Sequence, residues 1–229
     1  MIWDISSVAK ILPHLLPLVT SISGAGFAFL LNDRAKARQT VRDQVAAVNR
    51  AQFTLIMELN QLMLIQKEIE PFRHHPHCCI AMRPLLPFRD EVLPLDVNSL
   101  SFLLETNERQ LLFELLVEQQ RFNLAMQAIN ERSRIHIDKI QPRLVAAGMR
   151  EKFEYLDSEW IEAMGEPLYL ELKRMTDAAI EQVDLSVDSC QDLLIRFYNA
   201  MTKHFPKHTI IRDDTEHIDN SSNFITPSD

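Results

Sequence analysis

Between residues 41 and 69 the chain lays down one helix face in alternating steps of four and three: Val41, Val45, Val48, Gln52, Leu55, Leu59, Leu62, Gln66 and Ile69. This spacing marks helices that pack lengthwise, because the alternation keeps the row pointed at one partner. A strand, with its period of two, does not produce it. Two seam positions hold glutamine, a residue that in such seams fixes register or oligomer state at some cost in stability. Phe53, Ile56, Met63, Leu64 and Ile65 lie off the row. A two-helix contact would leave them uncovered, so the pattern favours a bundle that covers more than one face.

The same alternation returns in Leu112, Leu115, Gln119, Phe122, Met126, Ile129, Ser133, His136 and Ile140. Asn107 followed by Gln110 has the form of a capping box at its start, and Pro142 and Gly148 mark its end. A last long helix is expected from Leu168 to about His204, with Leu172, Met175, Ala179, Val183, Val187, Cys190, Leu194, Phe197 and Met201 on its apolar row. Asp96 is placed to cap a short helix through Leu104. Phe153, Leu156, Trp160, Ile161 and Met164 form another short piece, closed by Gly165 before Pro167. Pro71, Pro76, Pro84, Pro87 and Pro94 make residues 71–95 an irregular connection. Glycine numbers 4 in 229 residues, too few for a strand-rich fold or a phosphate-cradling loop. The expected fold is all-α: a long-helix antiparallel bundle with coiled-coil-like seams over residues 32–206, then a flexible acidic and polar tail over 207–229.

Residues 11–31 carry no formal charge and would extend about 31 Å as a helix, close to the hydrocarbon thickness of a bilayer. Arg34, Lys36, Arg38 and Arg42 follow at once, while Lys10 stands before the run with Asp4. Basic flanks stay on the cytoplasmic side. The run therefore reads as a single-pass transmembrane helix in the cell (inner) membrane, with residues 1–10 outside and the helical domain in the cytoplasm. A cleaved signal peptide, a buried core helix and an interfacial helix are the competing readings. The first has its positive charges on the wrong side, and the last lacks a charged face. Ser21, Gly24, Ala25 and Ala28 fall at small-residue spacing, which lets two membrane helices approach and makes a homo-oligomer the expected assembly. The same four basic residues are suited to anionic lipid headgroups.

Candidate chemistry is sparse. The net charge of −8 argues against a general nucleic-acid binder. The cysteines, Cys78, Cys79 and Cys190, make a poor disulfide framework. The sequence Arg73-His74-His75-Pro76-His77-Cys78-Cys79 concentrates imidazole and thiol groups, so His74, His75, His77, Cys78 and Cys79 are the candidate metal ligands, and a metal ion is the one cofactor considered. His136 is expected as a core histidine and Cys190 as a small buried apolar side chain. Glu114, Glu118, Glu131, Glu171 and Glu181 are expected on solvated helix faces. No catalytic residue is assigned, because no nucleophile elbow, zinc-protease helix, Walker loop or dinucleotide fingerprint occurs. The functional expectation is a non-enzymatic, membrane-tethered bundle that acts through contact with a protein partner or with itself. The alternatives are a metal-responsive sensor built on residues 74–79 and a membrane-perturbing effector of toxin or lysis type.

Overall fold

The computed structural model describes residues 5–85, 94–149 and 155–212, with side chains described from residue 27 onward. Every regular element among them is helical, and the long helices pack against one another. Helix α1 runs from Ile5 to Ile69 and crosses the border between two compact units, Met1–Ala46 and Ala47–Asp229. The border falls inside α1.

In the second unit three long elements meet: α1 from residue 47 onward, α3 (Arg109–Ile135) and α6 (Glu166–His204). Their contacts give the directions. Gln52, Leu55 and Gln66 of α1 meet Leu194, Cys190 and Asp184 of α6 in descending order. Glu114, Glu118 and Arg132 of α3 meet Arg196, Ser189 and Thr176 in the same sense. Both helices are therefore antiparallel to α6 and parallel to each other. The core holds Leu55, Leu62, Ile65 and Ile69 from α1, Leu115, Ala125 and Ile129 from α3, and Leu172, Ala179, Val183 and Phe197 from α6.

The α1 seam is buried from Val48 to Ile69, apart from the half-buried Gln66. Its two glutamines act within one chain. Gln52 Nε2 donates to the Leu194 carbonyl at 3.4 Å, and Gln66 Nε2 donates to Asp184 Oδ1 at 3.0 Å. Over this stretch the seam is spent on α6.

The connections follow from proline and from side-chain caps. Pro71 turns the end of α1 into a 3-10 turn, Glu70–Phe72. Within the stretch expected to be an irregular connection, the described residues include one turn of α-helix, α2 (Cys78–Ala81). Asp96 Oδ1 accepts from the Ser99 amide at 3.3 Å at the start of a 3-10 helix, Asn98–Glu105. The capping box expected at Asn107 is absent: Thr106 Oγ1 instead accepts from the Glu108 amide at 3.1 Å, just ahead of α3. Pro142 has no N–H and its ring crowds the preceding turn, and the helix widens there into a π turn, His136–Ile140, before α4 (Gln141–Ala146). Gly148, at φ 68°, adopts the left-handed conformation that ends this arm. Helix α5 (Asp157–Met164) follows, opened by Glu159 Oε2 accepting from the Leu156 amide at 2.7 Å. Phe153, expected in the same piece, lies outside the described residues.

Two further expectations need correction or limits. The tail is not free from residue 207: Asn49 donates to the Thr209 carbonyl at 3.2 Å and accepts from the Ile211 amide at 2.9 Å, while Ile210 is buried. Residues 213–229 lie outside the described part. Among the described residues no helix is long and apolar enough to cross a membrane. The expected span, residues 11–31, falls mostly where side chains are not described.

Burial separates stabilising from tolerant positions. Leu115→Ala, at a fully buried site, is expected to lower unfolding free energy by about 2–5 kcal/mol in denaturant titration. Phe53→Ala, on the outer row, is expected to change it by less than about 0.5 kcal/mol.

Candidate functional site

The loop after α1 does not gather its histidines and cysteines into one ligand set. His74 is exposed, while His75, His77 and Cys78 are half-buried and Cys79 is buried. His75 Nδ1 accepts from the His77 amide at 3.0 Å. His77 Nδ1 lies 3.0 Å from Asp157 Oδ1, and the same oxygen accepts from the Tyr169 hydroxyl at 2.9 Å. Burial pushes the Cys79 thiol up to about 11, and burial also raises Cys78. In both thiols burial favours the protonated form. Among the described residues no three His, Cys, Asp or Glu side chains are placed to hold a metal ion.

The loop is instead a strap fastened to the bundle at two places. At its start, Arg73 grips Asp184 through both guanidinium arms, Nη1 to Oδ2 at 2.6 Å and Nη2 to Oδ1 at 2.9 Å, and Nε reaches Glu70 at 2.9 Å. Arg73 holds the Asp184 carboxyl below its usual range. At its end, the buried Arg132 of α3 donates to backbone carbonyls: Nη2 to Cys79 at 2.8 Å and to Met82, and Nη1 to Arg83 at 3.0 Å. Its Nε reaches Thr176 Oγ1 at 3.4 Å. The neighbouring Ser133 Oγ accepts from the Leu85 amide at 3.1 Å. No carboxylate pairs with Arg132 among the described residues, so carbonyl dipoles at the end of α2 carry the burden of its charge. Burial lowers its pKa to about 10, which still leaves it cationic at neutral pH. His136, one turn on, is buried as expected. Burial, with Arg132 adding to it and the Ile80 backbone opposing, holds it down at about 4 and therefore neutral.

The second polar layer contains two carboxyl groups. Glu58 of α1 is 1% exposed and Glu118 of α3 is 2% exposed. Gln119 links Glu58 to the segment ahead of α3: its Nε2 donates to Glu58 Oε1 at 2.5 Å, and its Oε1 accepts from the Leu95 amide at 3.0 Å. Ser189 of α6 donates to Glu118 Oε1 at 3.0 Å, and Arg121 Nη1 lies 3.5 Å from Glu118 Oε2. Burial raises Glu58 to about 7 against the Gln119 hydrogen bond, with the charge of Glu118 adding to the rise. Burial likewise raises Glu118, while Ser189 and Arg121 oppose. The Cys190 thiol lies against this layer. Burial and then the charges of both carboxyls keep it protonated, so it behaves as the inert buried side chain expected of it.

Glu118 was expected on a solvated face, and the structure corrects this. Glu58 had no assigned role. Both were visible in a second seam beside the one followed above: Ala51, Leu55, Glu58, Leu62, Ile65 and Ile69 on α1, and Leu111, Leu115, Glu118, Phe122, Ala125, Ile129 and Arg132 on α3. Every one of these positions is buried. The four basic residues expected at a membrane flank, Arg34, Lys36, Arg38 and Arg42, are exposed on α1 and make no ion pair among the described residues. The chain matches no protein-family model, no curated protein and no solved structure.

Removing the Arg132 clamp leaves several carbonyls without a donor and a void in the core. Arg132→Met is expected to cost about 3 kcal/mol in denaturant titration. It should also accelerate labelling of Cys79 by a thiol reagent. In the unmodified chain Cys78 should label first, with Cys79 and Cys190 slow.

Proposed function

We propose that the chain is a membrane-tethered helical bundle that works through contact with other proteins and not through catalysis. One observation carries the tether: Phe27, Phe29, Leu30 and Leu31 of α1 are 66%, 65%, 58% and 50% exposed, and the exposed Arg34, Lys36, Arg38 and Arg42 follow directly. Large apolar side chains in such density are unfavourable in water, and a bilayer removes them from it. The adjoining basic residues suit an anionic headgroup region and a cytoplasmic flank. The uncharged sequence from residue 11 supplies the remainder of the insertion length.

Outer rows of apolar side chains support the partner-binding part. Phe53, Met57 and Leu64 are exposed along one face of α1, and Phe113 and Leu124 along one face of α3. With the seam of residues 48–69 buried within the chain, contact with a partner or a second copy falls to these rows and to the small-residue face at Ser21, Gly24, Ala25 and Ala28.

Vesicle flotation of the full chain, followed by alkaline carbonate washing, tests the tether. The chain is expected to float and to resist the wash. Leu30→Asp combined with Leu31→Asp is expected to weaken insertion by roughly 2–3 kcal/mol per acid and shift the chain toward the soluble fraction. An unmodified chain that stays in the supernatant with all its residues intact would remove the tether from this reading.

A further inference from the structure

We propose that the buried carboxyls of Glu58 and Glu118 form a proton-controlled latch, which holds residues 47–69 of α1 against α3 and α6 and loosens them when Glu58 ionises. The latch does not depend on the membrane reading.

Glu58 and Glu118 stand on two parallel helices, both closed to water, and Glu58 is hydrogen-bonded to Gln119, the chain neighbour of Glu118. The groups facing them are accounted for from each element. From α3 come Gln119, which is uncharged, and Arg121, which is half-exposed and lies beside Glu118. From α6 come the Ser189 hydroxyl and the protonated Cys190 thiol. The segment ahead of α3 contributes the Leu95 amide, which orients Gln119 so that its NH2 group points at Glu58. The two carboxyls are therefore unequal. Glu118 has a cation and a hydroxyl to support negative charge. Glu58 has one neutral amide, and no cation pairs with it among the described residues. Two carboxyls that influence each other in a desolvated site do not both ionise readily. Glu118 takes the charge first, and Glu58 keeps the proton.

When Glu58 releases that proton to solvent, α1 and α3 carry facing negative charges in a layer without water. Separation of α1 relieves this by admitting water. The α3–α6 pair is secured independently by Arg196 on Glu114 and by Arg132 on Thr176. The polar ties of α1 to α6 include Gln52 to the Leu194 carbonyl, Gln66 to Asp184 and the Cys190 thiol to the Leu55 carbonyl, and no ion pair joins these two helices among the described residues. Loosening is therefore expected in α1 first.

The direction with pH follows from the raised pKa. The protonated form is favoured in the folded state, so its stabilisation is complete below the ordinary carboxylate value of 4.5. It is lost as pH rises through about 7.

Hydrogen exchange of the full chain, corrected for intrinsic exchange rates, reads this directly. Between about pH 5 and about pH 8.5, protection of α1 amides near Glu58 is expected to fall roughly 100-fold, while α3 amides near Ile129 fall much less. Glu58→Gln, a neutral isostere of the protonated acid, should flatten the profile. Glu118→Gln removes the charge that adds to the rise of Glu58, so it should move the fall to lower pH and shrink it, with Glu58 titrating alone. Unchanged α1 protection in the unmodified chain, an equal loss in α3, or an undiminished fall in Glu58→Gln would each overturn the latch. Carbon-detected NMR titration of the Glu58 carboxyl needs no variant, and a midpoint near 4.5 would overturn it as well.

Discussion

The structure depends on how α1 spends its buried surface over residues 47–69. A helix in contact with one partner needs one seam, but this stretch is covered by two partners and buries two adjacent seams. The row through Gln52, Leu55, Leu59 and Leu62 is met by α6, and the row through Glu58 looks toward α3. Apolar burial supplies most of the attraction, yet it is indifferent to register. The polar members are not. Gln52 must find the Leu194 carbonyl, Gln66 must find Asp184 and Glu58 must find Gln119, and a slip of one turn would leave each without its partner, two of them fully buried.

The same logic explains the strap. Arg132 is a full positive charge inside the bundle, answered by carbonyls of the segment that sequence reading treated as an irregular loop. Burying that charge without them would be costly. The loop therefore has a structural role that its prolines conceal: it ends α1, turns once as α2 and presents its carbonyl end to α3. The carboxyl layer is the opposite case, with acids that share a dry site and relieve the cost by keeping a proton.

Much of the fold was legible because helix spacing is a strong signal. The three long helices, the stop at Pro71 and the Gly165 break all follow from periodicity and from the backbone chemistry of proline and glycine. The candidate polar sites were harder to read. Tracking one seam per helix placed Ser133 and His136 inside correctly, while Gln119 is half-buried, and it left Glu118 on the solvated side and Arg132 unconsidered. Each sits one helical step away, on a seam that matters only once a second partner is known. The clustered histidines and cysteines drew attention as ligands because composition reports proximity in sequence. It does not report that Cys79 points into the core while His74 faces solvent. The docking of residues 209–211 was invisible for a similar reason, since a single asparagine far upstream in α1 supplies both hydrogen bonds.

The α1 seam over residues 48–69 is satisfied inside one chain, which leaves other faces for partners. A photoreactive side chain introduced at Gln66, in a mixture of isotopically heavy and light full-length chains, addresses it directly. On irradiation the account predicts adducts to α6 near Asp184, each containing one isotopic form. Adducts that join heavy to light chains through that position would show that the seam belongs to an interface between copies, and the account would fail.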